Sequence, residues 1–508
     1  MTTTGEALPG VTLTFVPRDS DEEPLRTDVA AFLGRTRRGP VGTPVRVESW
    51  NDVVGAFGQP DGTAATPYAL RGFFENGGRT AWVLRVCGPA STASALWTPQ
   101  YRVVAASQGV WANGGKIAIR YQSSSVAGPA VVSVRVMIPG EPVETFAGIP
   151  PADVVSRLAA SQLIRILPVG PPPARRDERP LPGEPPFFTV AEGSDSSGPI
   201  SRSWDLTLAG GSDAAPSGAE YSAAVRAQGD LPEPALVALP DLGTDLTGDT
   251  QGDLIRELMT SASTVLDRLV VLDVPPGLSS VDKAVDWAHS LAPGDNALLG
   301  TAAVYHPGLR VPDARGLRTV PASGHVLGVI ARLDAERGAH HTPANAVILD
   351  AVDLAVEFPE PQQVRLFEAG VNLVRCSRGR GLLVWGGRTL SLDPRTRFIA
   401  HRRLVHLLVR AIRRAAGPLV FDVNSPELRL TLVRALTSVL LAAFRAGALA
   451  GARAEQAFRV VCDESNNPPE QDPGLVVCEI EVAPAAPMEF IKLRLVLGQD
   501  RGLEVIEA

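Results

Sequence analysis

Cysteine and histidine are scarce. The four cysteines (Cys87, Cys376, Cys462 and Cys478) are scattered, with no CxxC pair and no histidine at ligand spacing, and only 7 histidines occur in 508 residues. This excludes a disulfide framework and fits reduced thiols in a cytosolic protein. Cys462 and Cys478 fall on neighbouring predicted strands, so a disulfide between them stays open as a second reading. No apolar run reaches membrane-spanning length: the longest, Leu428 to Ala450, is broken by Arg429, Arg434 and Arg445. The opening MTTTGEALPG has neither a basic nor an apolar stretch, so no signal peptide is expected and assembly in the cytoplasm follows. A net charge of −7 argues against general nucleic-acid binding, while leaving room for a local basic face.

Reactive constellations are missing too. There is no GxSxG, HExxH or Walker A sequence. Gly114-Gly115-Lys116 ends like a phosphate loop, but Ile117 takes the place of the magnesium-binding Ser/Thr. Gly379, Gly381, Gly386 and Gly387 approach GxGxxG, but Val384 stands where the third glycine belongs. His340 and His341 would face opposite sides of a strand; in a loop near Asp334 and Glu336 they would be a chelating pair. No catalytic, cofactor or metal site is assigned. An α/β enzyme whose site is assembled from distant residues is the alternative.

What is present is ordinary globular text, 45% apolar and long enough for about three domains. Residues 1–26 read as an arm: Val11 to Val16 (VTLTFV) alternates like a half-buried strand, and a charged segment follows. That strand joins either its own domain's sheet or another subunit's. Residues 27–88 begin an α/β core, with VAAFLGRT and TAWVLRVCG as strands, and WNDVVGAFG and PYALRGFFENGG as helices. Gly77 and Gly78 supply the positive backbone angle that ends the second helix. Residues 89–208 form a β-rich insertion with a Pro-rich surface loop from Pro168 to Pro186. Residues 209–360 resume the core with the buried strands ALVALPDL, RLVVLDVPP and ALLGTAAVYHPG. A C-terminal domain spans 361–498 and an extended end spans 499–508. The fold class is mixed α/β, with an inserted β-rich domain and extended terminal arms.

In the C-terminal domain, His401 to Arg414 is a helix. At 100° per residue it gathers Arg402, Arg403, His406, Arg410, Arg413 and Arg414 on one arc, with Leu404, Val405, Leu408 and Ile412 elsewhere. Ser425-Pro426-Glu427 opens a second helix as cap, first-turn proline and dipole-matched acid. Three strands follow: FRVVCDES, LVVCEIEV and EFIKLRLVL. Trp385 reads as core, with Gly386 and Gly387 permitting a tight turn.

The chain resembles contractile tail sheath proteins nearly end to end. The resemblance rests on Pro9-Gly10-Val11, Val29 to Gly58, Phe73 to Val86, Ser107 to Arg120, LAGGSD (Leu208 to Asp213) and Val320 to Asn345. The C-terminal GRGLLVWGGRTL, HRRLVHLLVRAIRR and VVCEIEVAPAAPMEFIKLRLVL complete it. It implies a subunit stacked in helical rings around an inner tube protein, between baseplate and cap proteins, with no cofactor. It also implies terminal arms that add strands to neighbouring subunits, here Val11, Leu13 and Phe15 at one end and Leu503 and Val505 at the other. The arginine face (Arg403, His406, Arg410, Arg413 and Arg414) is either a solvated helix face or the contact with an acidic tube. A single long chain speaks for a phage tail or an injection system over a sheath split between two chains. A non-contracting sheath-like cap or baseplate-proximal relative is a further alternative.

Overall fold

Strand Ala30–Gly34 (β1) is buried on both faces, and its alternation divides the core in two. In the computed structural model, described for residues 25–507 apart from 100, 124–129, 170–199, 279, 420–421, 469–474, 486–490 and 499–501, β1 lies inside an eight-stranded sheet. The other members are Val45–Val47 (β2), Ala81–Arg85 (β3), Leu236–Ala238 (β4), Leu269–Asp273 (β5), Ala302–His306 (β6), Val371–Ser377 (β7) and Gly381–Trp385 (β8), in the order β2-β3-β1-β4-β5-β6-β7-β8. β3, β1, β4, β5, β6 and β7 run parallel; β2 and β8 are antiparallel edges. The central strands are almost wholly apolar because helices cover both faces.

Ala30 and Phe32 face helices Thr66–Glu75 (α2) and Ser323–Arg337 (α6). Ala31 and Leu33 face Gly218–Gly229 (α3), Gly248–Val265 (α4), Val281–Ser290 (α5) and Glu360–Glu368 (α7). The short helix Trp50–Phe57 (α1), capped by Ser49, buries Val53 and Phe57 on the first face. α2 and α6 pack unusually close. A Cβ on Gly324 would sit 2.3 Å from the Ala69 carbonyl oxygen, and one on Gly328 would sit 2.4 Å from that of Phe73. Gly77, at φ +102°, ends α2 as expected; Gly78 has no positive angle and instead donates its N–H to the Phe73 carbonyl.

Between β3 and β4 the chain leaves for two antiparallel sheets. One joins Ser94–Thr98, Tyr101–Ala105 and Ile164–Pro168; the other joins Lys116–Ser123, Ala130–Met137, Glu144–Ile149 and Ile200–Thr207. They share a core around Trp97, Tyr121, Val134 and Leu208. Most of the Pro-rich loop lies outside the described residues.

The C-terminal unit packs helices Ile399–Ala416 (α8) and Pro426–Arg445 (α9) on a four-stranded antiparallel sheet. Its strands are Phe458–Val461 (β9), Leu475–Val482 (β10), Ile491–Gly498 (β11) and Gly502–Glu507 (β12), in that order. Ser425 caps α9 by accepting from the Leu428 N–H at 3.2 Å. Leu432, Leu436 and Leu440, buried against Leu408 and Ile480, contribute about 1.5–3 kcal/mol each. The expected boundary at residue 361 is corrected: β7 and β8 extend the core sheet to Trp385, because Val371, Leu373 and Val384 are apolar enough to be covered on both sides. Among the described residues, no helix is long and apolar enough to cross a membrane.

Candidate functional site

In such a layered sheet the flanking helices point their N-termini towards the C-terminal ends of the strands, and their C-termini the other way. Each edge therefore carries a fixed partial charge, positive at one and negative at the other. The protein sets charged side chains of its own at both edges.

At the C-terminal edge, the chain winds from β1 to β3 on one side and to β4 on the other. The crevice between β1 and β4 is where open sheets of this kind bind ligands. Here it holds Asp241, which is 1% exposed. Its carboxylate accepts from the Arg35 N–H at 2.8 Å, the Thr66 hydroxyl at 2.7 Å and the Ala65 N–H at the start of α2. Gly34 permits this approach, since a Cβ there would fall 2.0 Å from the Thr66 hydroxyl. One strand along, Asp273 accepts from the Ser323 N–H at 2.9 Å and caps α6; burial pushes its pKa up to about 6. A cavity of about 400 Å³ beside Asp241 is lined by Arg35, Thr244, His306 and Arg318. Burial lowers the His306 pKa to about 4. These groups stitch loops together.

At the opposite edge lies α8. Arg403 donates to the Thr27 carbonyl at 2.7 Å and pairs with Asp334 near the end of α6; Thr27 donates its hydroxyl to the same carboxylate at 2.9 Å. Arg410 donates to the carbonyls of Glu233 at 2.8 Å, Pro234 at 2.6 Å and Arg26 at 3.1 Å. Arg413 reaches the Val265 carbonyl that ends α4, and pairs with Asp267 at 3.2 Å. Arg268 closes the end of α3 through Gln228 and Leu231. Burial lowers the Arg410 pKa to about 10, with Asp267 opposing that effect. His406 is fully enclosed; burial, and then Arg402, Arg403, Arg410 and Arg268, hold its pKa well below the usual value, so it is neutral.

This arrangement corrects the expected arginine face. Arg403 and His406 are 2% exposed, and the Arg410 side chain is 9% exposed. Arg413 is half-buried and Arg414 is exposed. Residues 403, 406 and 410 therefore face the chain's own core. A helical wheel separates the polar arc from the apolar one, but cannot tell water from the carbonyl-lined edge of another layer. Leu503 and Val505 lie on β12, paired with Leu497 and Leu495 of the chain's own β11; closing such a short local hairpin costs little loop entropy. Val11, Leu13 and Phe15 lie outside the described residues. Trp385 is half-buried beneath the Arg375 guanidinium. His340 and His341 stack at 4.5 Å, and among the described residues no group of three or more His, Cys, Asp or Glu could hold a metal ion.

Sequence reasoning missed Asp241, Asp273, Asp267 and Asp334. The signal was present for Asp241 and Asp273: each is an acid placed at or just after a buried parallel strand, where a helix N-terminus arrives.

The α/β sheet thus carries buried carboxylates of its own at the C-terminal crevice and is joined at the far edge to the C-terminal unit. Residues 214–390 match the phage tail sheath protein central domain. The tail sheath protein of Enterobacteria phage T4 is 30% identical over 185 residues, 35% of this chain and 27% of that protein. The matched stretch is thus about a quarter of that relative's length. The fold is shared with the sheath tail protein from Listeria innocua (TM-score 0.64, 12% identity, 94% of this chain and 97% of that one). It is shared also with the contracted helical sheath of the anti-feeding prophage (TM-score 0.54, 20% identity, 94% and 98%).

Proposed function

We propose that the chain is the structural subunit of a contractile sheath. It polymerises in helical rings around an inner tube protein, between baseplate and cap proteins, and shortens to drive the tube through a target envelope. Its work is mechanical: rigid subunits repack between two discrete lattices, and the energy is stored in their interfaces. The observation that carries this reading is the sheath domain at residues 214–390. Assembly takes place in the cytoplasm, as part of a phage-tail-like particle or virion tail.

The N-terminal arm links subunits by adding the strand from Val11 to Val16 to a neighbour's sheet edge. Val11, Leu13 and Phe15 then contribute about 1.5–3 kcal/mol each before ordering costs. The root of that arm, Arg26 and Thr27, is held by Arg410 and Arg403. Tension on the arm therefore reaches the core and the C-terminal unit together. Of the arginine face, the exposed Arg414 meets the tube.

Negative-stain electron microscopy of the purified chain, with and without its tube protein, tests the reading. Rings or tubes of helical symmetry are expected. A chain that stays monomeric under all conditions and turns over a substrate contradicts it. Removing residues 1–20 is expected to leave a folded protein that forms no tubes.

A further inference from the structure

β9 runs antiparallel to β10, with Val460 opposite Ile480 and Val461 opposite Glu479. One residue further, the same register sets Cys462 opposite Cys478. The Asn467 side chain donates to the Val477 carbonyl at 2.8 Å and accepts from the Val477 N–H at 2.6 Å. The Val477 backbone thus points towards β9, and that of Cys478, next in the alternation, points towards β11. Cys462 and Cys478 are therefore a non-hydrogen-bonded cross-strand pair, the closely spaced kind with Cα atoms about 4.5 Å apart. Disulfides span Cα separations of about 4.4–6.8 Å. Both side chains sit in the core of the C-terminal unit and both are free thiols.

We propose that Cys462 and Cys478 are a redox-closed brace: a peroxide joins them in a disulfide that ties the edge strand β9 to β10. Cys462 is the attacking sulfur. The Cys478 thiol donates to it, and with the Arg429 guanidinium this holds the Cys462 pKa below its usual value, while the same contact and burial push that of Cys478 up. The Cys462 thiolate attacks one peroxide oxygen, the O–O bond breaks, and hydroxide leaves, giving a sulfenic acid. Cys478 then attacks that sulfur; the S–O bond breaks, the S–S bond forms, and the departing oxygen and the thiol proton leave as water. Two thiols are oxidised and one peroxide is reduced to water. Closure joins the ends of a loop that a peptide chain otherwise leaves free to open in the unfolded state.

The test is peroxide treatment of the full chain, followed by unfolding, alkylation of remaining thiols and peptide mass spectrometry. Buried Cys87 and exposed Cys376 serve as internal standards. A crosslinked Cys462–Cys478 peptide is expected, with both thiols lost together while Cys87 still alkylates. The oxidised protein is expected to melt several degrees higher, a shift absent in Cys462→Ser and in Cys478→Ala. If one variant fails to fold, the other tests the same point. Continued alkylation of both cysteines, or sulfinic acid at either without a crosslink, overturns the proposal. None of these outcomes depends on whether the chain forms tubes.

Discussion

The two edges of the central sheet are closed by opposite chemistry. At the C-terminal edge, Asp241 and Asp273 satisfy the helix N-termini and join loops of one layer. At the N-terminal edge, Arg403, Arg410 and Arg413 come from a separate unit and satisfy strand entries and helix ends. Both solutions follow from the same helix dipoles. The difference is that the aspartates are local whereas the arginines are imported. One edge therefore closes a domain, and the other fastens two units and the root of an arm.

Breaking the imported edge is expected to cost most. Arg403→Met leaves Asp334 buried without its cation, and chemical denaturation is expected to show a loss of about 3–5 kcal/mol. Adding Asp334→Leu is expected to recover part of that loss, since no buried charge then stands alone. Next comes a pH effect between α2 and α6. Burial lowers the His325 pKa to about 4, below its unfolded value. The stability it contributes is present above about pH 6.5 and is lost as pH falls towards 4, about 3 kcal/mol in all. His325→Gln is expected to remove that slope in denaturation curves taken across the range.

The local edge is expected to give a smaller effect. Asp241→Asn keeps the shape and one acceptor oxygen, so a loss of about 1–3 kcal/mol is expected. Smallest is Arg414→Glu: the residue is exposed, and the stability of the monomer is expected to stay within about 0.5 kcal/mol. Reduced co-sedimentation with tube protein would be its signature, and unchanged co-sedimentation would remove Arg414 from the tube contact.

Much of the fold was legible from local pattern. The buried runs ALVALPDL and RLVVLDVPP became β4 and β5, and Ser425-Pro426-Glu427 opened α9. The three-stranded sheet of Leu309–Asp313, Gly316–Val320 and Asp353–Leu354 had no such signature; its strands are short, and one has only two residues. The arginine arc of α8 was legible as an arc, but its destination was not. That depends on Thr27, Glu233, Pro234 and Asp267, distant residues whose meeting no periodicity encodes. Leu503 and Val505 were likewise legible as strand, while their partner strand was not.

A cryo-EM map of the assembled particle, with side chains visible on α8, tests the account most directly. Arg403 and Arg410 are expected at hydrogen-bond distance from Thr27, Glu233 and Pro234 of their own chain. Finding both turned outwards, with their guanidinium groups on the inner tube, would contradict it.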